Sequence, residues 1–409
     1  MSLAFGRHFL SIPGPSVVPE QVLAAMHRGA PNIYEGDLIE TTYSVLDRLK
    51  KVARTEHKVA MYIANGHGAW EAAVVNTIAP GDKVLVLCTG RFGKGWAEMA
   101  STLGADVELL DFGTAAPADP ARVEARLRAD KTHEIRAVLT VQTDTASSVR
   151  NDIAAIRKAI DAAGHPALYM VDCIASLACE PYEMDAWGVD LTVTGSQKGL
   201  MVPPGTSFVF SGPKALAARA RLERVSPYFD WAPRHDPEIY YRLFCGTAPT
   251  HHILGLDVAL RMLLEEEGLE AVWARHARLA RSVWAAVAAW GAGGMFRLNI
   301  ADPAHRSIAV TTIHTAEGEA ERLRHWCERE ANLTLGIGLS LESGSGRPTG
   351  SALFRIGHMG HLNPPMLLGA LSTADAGLKA LGVPHGAGAL EAATAALSMS
   401  ASAAEQAAE

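Results

Sequence analysis

Two residues of this chain have the chemistry to grasp opposite ends of one heterocyclic ring. Lys198 lies in Val193-Thr194-Gly195-Ser196-Gln197-Lys198-Gly199, where an apolar run gives way to a small-residue turn, and Asp172 ends the apolar run Ala167-Leu168-Tyr169-Met170-Val171. An amine can condense with a cofactor aldehyde, and a carboxylate can keep a pyridine nitrogen protonated so that the ring accepts electrons. The pair reads as a pyridoxal phosphate site, and the chain as an enzyme. The same lysine would serve as nucleophile and as the base that moves the substrate Cα proton. Singly, each residue has an ordinary explanation, as a surface lysine after a strand or an aspartate capping a turn. The flanks Ser196-Gln197-Lys198-Gly199-Leu200-Met201 and Pro203-Pro204-Gly205 are uncommon, however. A partly buried carboxylate also needs a cation, which a pyridinium supplies.

Other groups could complete such a site. Gly66-His67-Gly68 follows an apolar run and precedes a helical pattern, so free amides and the helix dipole could hold a phosphate. Phe92, in Thr89-Gly90-Arg91-Phe92-Gly93, could stack on a flat ring, although core packing is the commoner use of a phenylalanine. Arg355, in Phe354-Arg355-Ile356-Gly357-His358, could grip a carboxylate through its fork, with a structural ion pair as the competing role. His358 has no spacing partner for a metal and reads as a packing or hydrogen-bonding histidine.

Positioning these groups falls to short apolar runs at Val59 to Ile63, Lys83 to Leu87, Arg136 to Val141, Ala167 to Val171, Asp190 to Thr194 and Ser207 to Ser211. Helical patterns such as Ala69 to Ile78 and Asp152 to Ala163 alternate with them. That rhythm predicts a doubly wound α/β fold, with Asp172 and the Lys198 turn at the carboxyl ends of strands where ligands gather. Long helical patterns follow at His251 to Glu267 and Leu269 to Trp290. A strand at Ser307 to Ile313, a helix near Glu317 to Glu330, a strand ending in Phe354-Arg355-Ile356 and a helix from Pro365 to Leu381 suit a small α+β unit. The expected organisation is an N-terminal arm over 1–20, a large cofactor-binding domain over 21–260, a small C-terminal domain over 261–385 and an Ala- and Ser-rich tail over 386–409. The tail reads as a helical stretch with a disordered end.

The bulk numbers fit that division, because 409 residues exceed what one core of about 250 to 300 usually serves. A formal charge of -7 argues against nucleic acid as partner. The five cysteines show no CxxC spacing and read as reduced thiols of the cytoplasm. No stretch approaches the length of a membrane span.

Taken together, the chain resembles the class V aminotransferases of pyridoxal phosphate fold type I, especially the alanine– and serine–glyoxylate enzymes, over roughly residues 10 to 385. The pieces that carry the likeness are Pro13-Gly14-Pro15, Asn65-Gly66-His67 before Trp70-Glu71-Ala72, Val171-Asp172, Gly195-Ser196-Gln197-Lys198, Pro203-Pro204-Gly205 and Arg355-Ile356-Gly357-His358. The resemblance implies a large domain with a mainly parallel sheet between helices, a smaller α+β domain, and a ping-pong transfer from an amino acid of the alanine, serine or aspartate kind to glyoxylate or another small 2-oxo acid. It implies Asn65, Gly66, His67 and Gln197 around the phosphate, Phe92 and Ile174 on the two ring faces, Thr145 near the ring hydroxyl and Arg355 on the substrate carboxylate. Thr247 matches a threonine that reaches the phosphate from a neighbouring subunit, which implies a homodimer with composite sites.

The chain departs from that pattern in places. Gln142-Thr143-Asp144-Thr145 stands where many relatives have His-Asn-Glu-Thr, and Phe244 aligns with a phosphate-binding tyrosine. Tyr34 with its acidic neighbours, Phe92-Gly93-Lys94-Gly95 and His358-Met359-Gly360 look instead like pyridoxamine–pyruvate aminotransferase, and that likeness sets Tyr34 at the substrate. Conventional transamination ranks first, since Asn65-Gly66-His67 and Gln197-Lys198 suit a phosphate-bearing cofactor. A lyase of the cysteine desulfurase kind would need a mobile thiol, and Cys327 lies in a helical pattern. A binding protein without turnover would have no use for both Lys198 and Asp172.

Overall fold

The computed structural model describes residues 3–339 and 352–399. In chain order the strands are β1 (Phe9–Ser11), β2 (Lys58–Tyr62), β3 (Lys83–Cys88), β4 (Asp106–Asp111), β5 (Ile135–Val141) and β6 (Leu168–Asp172). Then come β7 (Leu191–Gly195), β8 (Ser207–Ser211), β9 (Arg297–Leu298), β10 (Val310–His314), β11 (Leu333–Ile337) and β12 (Leu353–Gly357). Strands β2 to β8 form one sheet in the order β2-β8-β7-β6-β5-β3-β4, and the others a second in the order β1-β11-β12-β10-β9. The alternation of runs and helical patterns thus yields the expected α/β architecture, a mainly parallel sheet with a second, smaller sheet.

Helices cover both faces of the larger sheet, so its strands are apolar on both sides. Leu85, Leu87, Tyr169 and Val171 face the helices Asp37–Ala53, Ile153–Ala162 and Thr250–Arg261. Their neighbours Val84, Val86, Leu168 and Met170 face the helices Gly66–Val75, Arg91–Thr102 and Pro213–Ala220. The two-residue period that separates these sets carries Asp172 to the side of Leu168 and Met170, against the helix Gly66–Val75.

One strand breaks the parallel pattern. β8 runs antiparallel to both β2 and β7. The eleven residues from 196 to 206 are too few for a covering helix and a parallel return, and they already hold the Lys198 turn. The pattern expected at His251 to Glu267 is interrupted: an α-helix ends at Arg261 and the chain continues as a wider turn, Met262–Glu267. In the second sheet the strand expected from Ser307 begins at Val310, because Ser307 folds its hydroxyl back to accept from the Ala309 and Val310 amides.

The segment after β1 crosses to the larger sheet. Phe9, Leu10 and Ser11 pair in parallel with Leu333, Thr334 and Leu335, while the Ser16 amide donates to Gln197 O at 2.9 Å. A helix at Ala389–Ser398 buries Ala389 and Ala393 in the core beneath Leu269–Gly291. The end of the tail, from residue 400, lies outside the described residues. Among the described residues no helix is long and apolar enough to cross a membrane.

Candidate active site

Five parallel strands of the larger sheet end at one cavity of about 240 Å³. β2 leads to Asn65, Gly66 and His67, β3 to Phe92, β5 to Val141, Thr143 and Thr145, β6 to Asp172 and Ile174, and β7 to Gln197 and Lys198. The helix dipole points the same way, since the helix Gly66–Val75 starts at the cavity rim. Asn65 caps that helix, its Oδ1 accepting from His67 N at 3.1 Å and Gly68 N at 3.4 Å. A side chain at Gly66 would meet the end of the Ile174 side chain and push it aside from the ring face it is expected to flank.

Asp172 is buried, with Oδ2 accepting from Trp70 Nε1 at 2.8 Å and Oδ1 from Ile174 N at 2.6 Å. Burial outweighs those two bonds and pushes its carboxyl up to about 7. Trp70 is itself fixed by stacking on Trp96, with ring centroids 6.0 Å apart. Lys198 is affected in the opposite sense. Loss of water first, and the Arg355 charge second, bring its amine down to about 8. A carboxyl and an amine moved toward each other's range gain most from a shared ligand that takes the proton of one and the charge of the other.

Lys198 Nζ donates to Pro13 O, and Ser16 Oγ donates to Lys198 O at 2.7 Å. Gly14, at φ 92°, presses against the lysine stem so closely that any Cβ there would overlap it. The N-terminal segment thus closes one wall of the site. Gln197 Oε1 is a buried acceptor with no partner among the described residues, so the cavity has room for a donor beside Lys198. Arg355 is buried on β12. Its Nε donates to Ile337 O at 2.7 Å and NH1 to Thr145 O at 2.8 Å, which carries the guanidinium from the second sheet to the edge of the first. Burial lowers it to about 10.

Asp144, quoted in the sequence only as part of a departure from the relatives' pattern, organises the wall that holds Phe92. Its carboxylate accepts from Phe92 N at 2.7 Å and Gly93 N at 3.3 Å, capping from a distant loop the helix Arg91–Thr102, whose own N-cap is glycine. It also accepts from Ala146 N and Ser147 N. A side chain at Gly90 would overlap Asp144. Asp144→Ala should cost about 3 kcal/mol, the sum of a lost cap and stranded buried amides, whereas Asp144→Asn keeps an acceptor and should cost under about half of that. Urea denaturation of the three proteins checks this.

The expected site residues Asn65, Gly66, His67, Phe92, Thr145, Asp172, Ile174, Gln197 and Lys198 all line the cavity. Arg355, Tyr34 and Thr247 do not: Arg355 stands behind the wall on the carbonyl of Thr145, Tyr34 is 80% exposed and Thr247 lies on the surface after a left-handed Cys245. Phe244, aligned with a tyrosine in relatives, is buried against Tyr240. His358 hydrogen-bonds to Ile308 O and Thr311 Oγ1, the structural use expected of it. Cys327 is buried in the helix Glu319–Ala331, where burial pushes its thiol up to about 12 and removes the thiolate a lyase would need. Trp70, Asp144 and Pro13 lie in motifs quoted from the sequence, but their contacts in the site were given no role there.

Comparison with known proteins agrees with this geometry. Residues 9–341 match the family described as Aminotransferase class-V. The chain belongs to that family. It is a pyridoxal-phosphate-dependent aminotransferase. The serine–glyoxylate aminotransferase of Methylorubrum extorquens is 41% identical over 385 residues, covering 91% of either chain. The L-aspartate–glyoxylate aminotransferase of Paracoccus denitrificans is 39% identical over 380 residues, again with 91% of each chain covered. Among solved structures, pyridoxamine–pyruvate aminotransferase of Mesorhizobium loti superposes with a TM-score of 0.84 at 28% identity, over 95% of this chain and 96% of that one.

Proposed function

We propose that this aminotransferase moves an amino group from a small amino acid, of the serine, alanine or aspartate kind, to glyoxylate or another small 2-oxo acid. One observation carries the reading: an amine lowered to about 8 and a carboxyl raised to about 7 stand in one cavity at the ends of adjacent parallel strands. The glyoxylate acceptor is supported by the names of the relatives at 39 and 41% identity.

The residues present suit pyridoxal 5′-phosphate. Asn65, Gly66, His67 and Gln197 would hold the phosphate with help from the helix Gly66–Val75, while Phe92 and Ile174 flank the ring and Thr145 meets its hydroxyl. Bound there, the cofactor supplies an aldehyde that condenses with amines and a ring that withdraws electrons from the neighbouring carbon. Asp172 keeps the proton on the ring nitrogen. Lys198 Nζ takes the substrate Cα proton in one half of the cycle and returns it in the other, which an amine near neutrality does efficiently at either stage. Arg355 holds the carboxylates of donor and acceptor in turn. Thr247 and Tyr34, outside the cavity of their own chain, serve the phosphate and substrate ends of composite sites in a homodimer.

The amino donor alone should bleach the visible absorbance of the loaded enzyme, and glyoxylate alone should then restore it. A panel of serine, alanine, aspartate and free pyridoxamine ranks the donors. Absorbance that no amino acid changes would overturn transamination, and a response to pyridoxamine alone would move the assignment to the pyridoxamine–pyruvate type.

A further inference from the structure

Glu180 is a fully buried carboxylate that the reaction above leaves without a task. It sits on the loop after Asp172, and its Oε1 accepts from Ser307 Oγ at 2.6 Å and Ile308 N at 3.2 Å, both just before β10 in the other sheet. Burial works against its ionised form, while the Arg150 charge and the Ser307 and Thr143 hydroxyls work for it. Thr143 lines the cavity. Replacing a buried ion by a packed apolar side chain is commonly neutral or stabilising, so a carboxylate here is poorly explained by stability alone.

The next link is His358. Its Nδ1 lies 2.9 Å from Ile308 O, and its Nε2 lies 2.9 Å from Thr311 Oγ1. A carbonyl only accepts, so Nδ1 carries the proton and Nε2 accepts from the Thr311 hydroxyl. Thr311 Oγ1 in turn accepts from Trp284 Nε1 at 3.1 Å. Burial holds the imidazole down to about 4, which keeps it neutral, and the Ile308 carbonyl fixes this tautomer. Donors therefore run one way, from Trp284 through Thr311 and His358 to the Ile308 carbonyl, and the Ile308 amide extends the chain to Glu180.

This chain encloses the strand pair that carries Arg355. Val310 lies opposite Gly357 and Thr312 opposite Arg355, and His358 N donates to Ala309 O at 3.0 Å. The start of β10 and the end of β12 are thus tied to each other and, through Glu180, to the loop that follows Asp172. Arg355 does not line the cavity itself but meets it through the carbonyl of Thr145, which does, so a small slip of β12 would displace its guanidinium from a substrate held by the larger sheet. A guanidinium out of place loses its paired hydrogen bonds to a carboxylate, which weakens binding of every substrate that carries one.

We propose that Glu180 and His358 are positioning residues for Arg355, fixing the second sheet against the first so that the guanidinium meets the substrate carboxylate. This rests on the reading of Arg355 as the carboxylate grip. In the loaded enzyme, Glu180→Gln and His358→Gln should raise KM for both the amino donor and the 2-oxo acid together, by roughly tenfold, and leave kcat within about twofold. Calorimetry should show the Kd of propionate, a carboxylate that cannot transaminate, rising by the same factor. In an Arg355→Lys background the Glu180→Gln change should add little, as expected of residues that act through one another. Should Glu180→Gln fail to accumulate, Thr311→Val cuts the same chain from its other end and carries the same expectation. Unmoved KM and propionate affinity in these variants, with both raised in Arg355→Lys, would overturn the positioning role. So would a fall in kcat alone, or full additivity with Arg355→Lys. An Arg355→Lys enzyme with unaltered KM and propionate affinity would instead overturn the carboxylate grip itself.

Discussion

Lys198→Ala should yield a folded protein that still takes up its cofactor but holds it without a covalent link, with turnover reduced by roughly a thousandfold or more. Two losses combine. The nucleophile that holds the cofactor aldehyde disappears, and so does the one amine among the described residues lining the cavity that can carry the substrate Cα proton. Borohydride treatment of the parent should fix the cofactor's mass on the tryptic peptide that contains residue 198, and the variant should show no label there. Thermal stability should change little or rise, because the lysine is an incompletely solvated cation whose amine is already lowered to about 8 by lost water and by Arg355. Label on another peptide, or unchanged turnover in Lys198→Ala, would move the chemistry elsewhere.

How much of this site could be read before the fold was seen follows from how local each cause is. Asp172 and Lys198 were legible because each ends an apolar run, and a doubly wound sheet gathers strand ends in one crevice. Gly66 was legible because Gly66-His67-Gly68 stands between an apolar run and a helical pattern, where a helix N-terminus can meet a phosphate, and the helix does start there. The antiparallel course of β8 was not visible in the run Ser207 to Ser211, whose composition suits either direction; only the shortness of residues 196–206 betrays it. Glu180 left no local trace, and Asp144, Trp70 and Pro13 stood in quoted motifs without the contacts they make being legible. Their partners lie on other loops, as with Pro13 O and Lys198 Nζ, and no periodicity records a contact between residues so far apart in the chain. Tyr34 and Thr247 illustrate the converse, since likeness to relatives assigned them to a site whose cavity in the same chain they do not enter.

Asp172→Asn should separate the two consequences of one buried charge. For catalysis, an amide cannot hold a proton on the ring nitrogen by charge, so kcat should fall by roughly 10² to 10³, the scale of losing one preorganised electrostatic contact, while the Lys198 link to the cofactor still forms. For stability the sign reverses. The folded carboxyl sits at about 7, above the model-peptide value of 3.8, because burial disfavours its ion. Its contribution is therefore fully present below about pH 4 and is lost as pH rises through about 7, a change of roughly 4 kcal/mol at full ionisation. Cofactor-free parent protein should lose stability relative to cofactor-free Asp172→Asn across that window, and the gap should stay constant above about pH 8. Adding the cofactor should close the gap from the parent's side, since a protonated ring nitrogen supplies the cation that the ionised carboxylate lacks. Urea denaturation of both proteins between pH 4 and 8, with and without cofactor, measures each arm. A gap that does not change with pH would mean that Asp172 is not held near neutrality by burial, and with that the pairing between its carboxylate and the ring nitrogen would lose its physical basis.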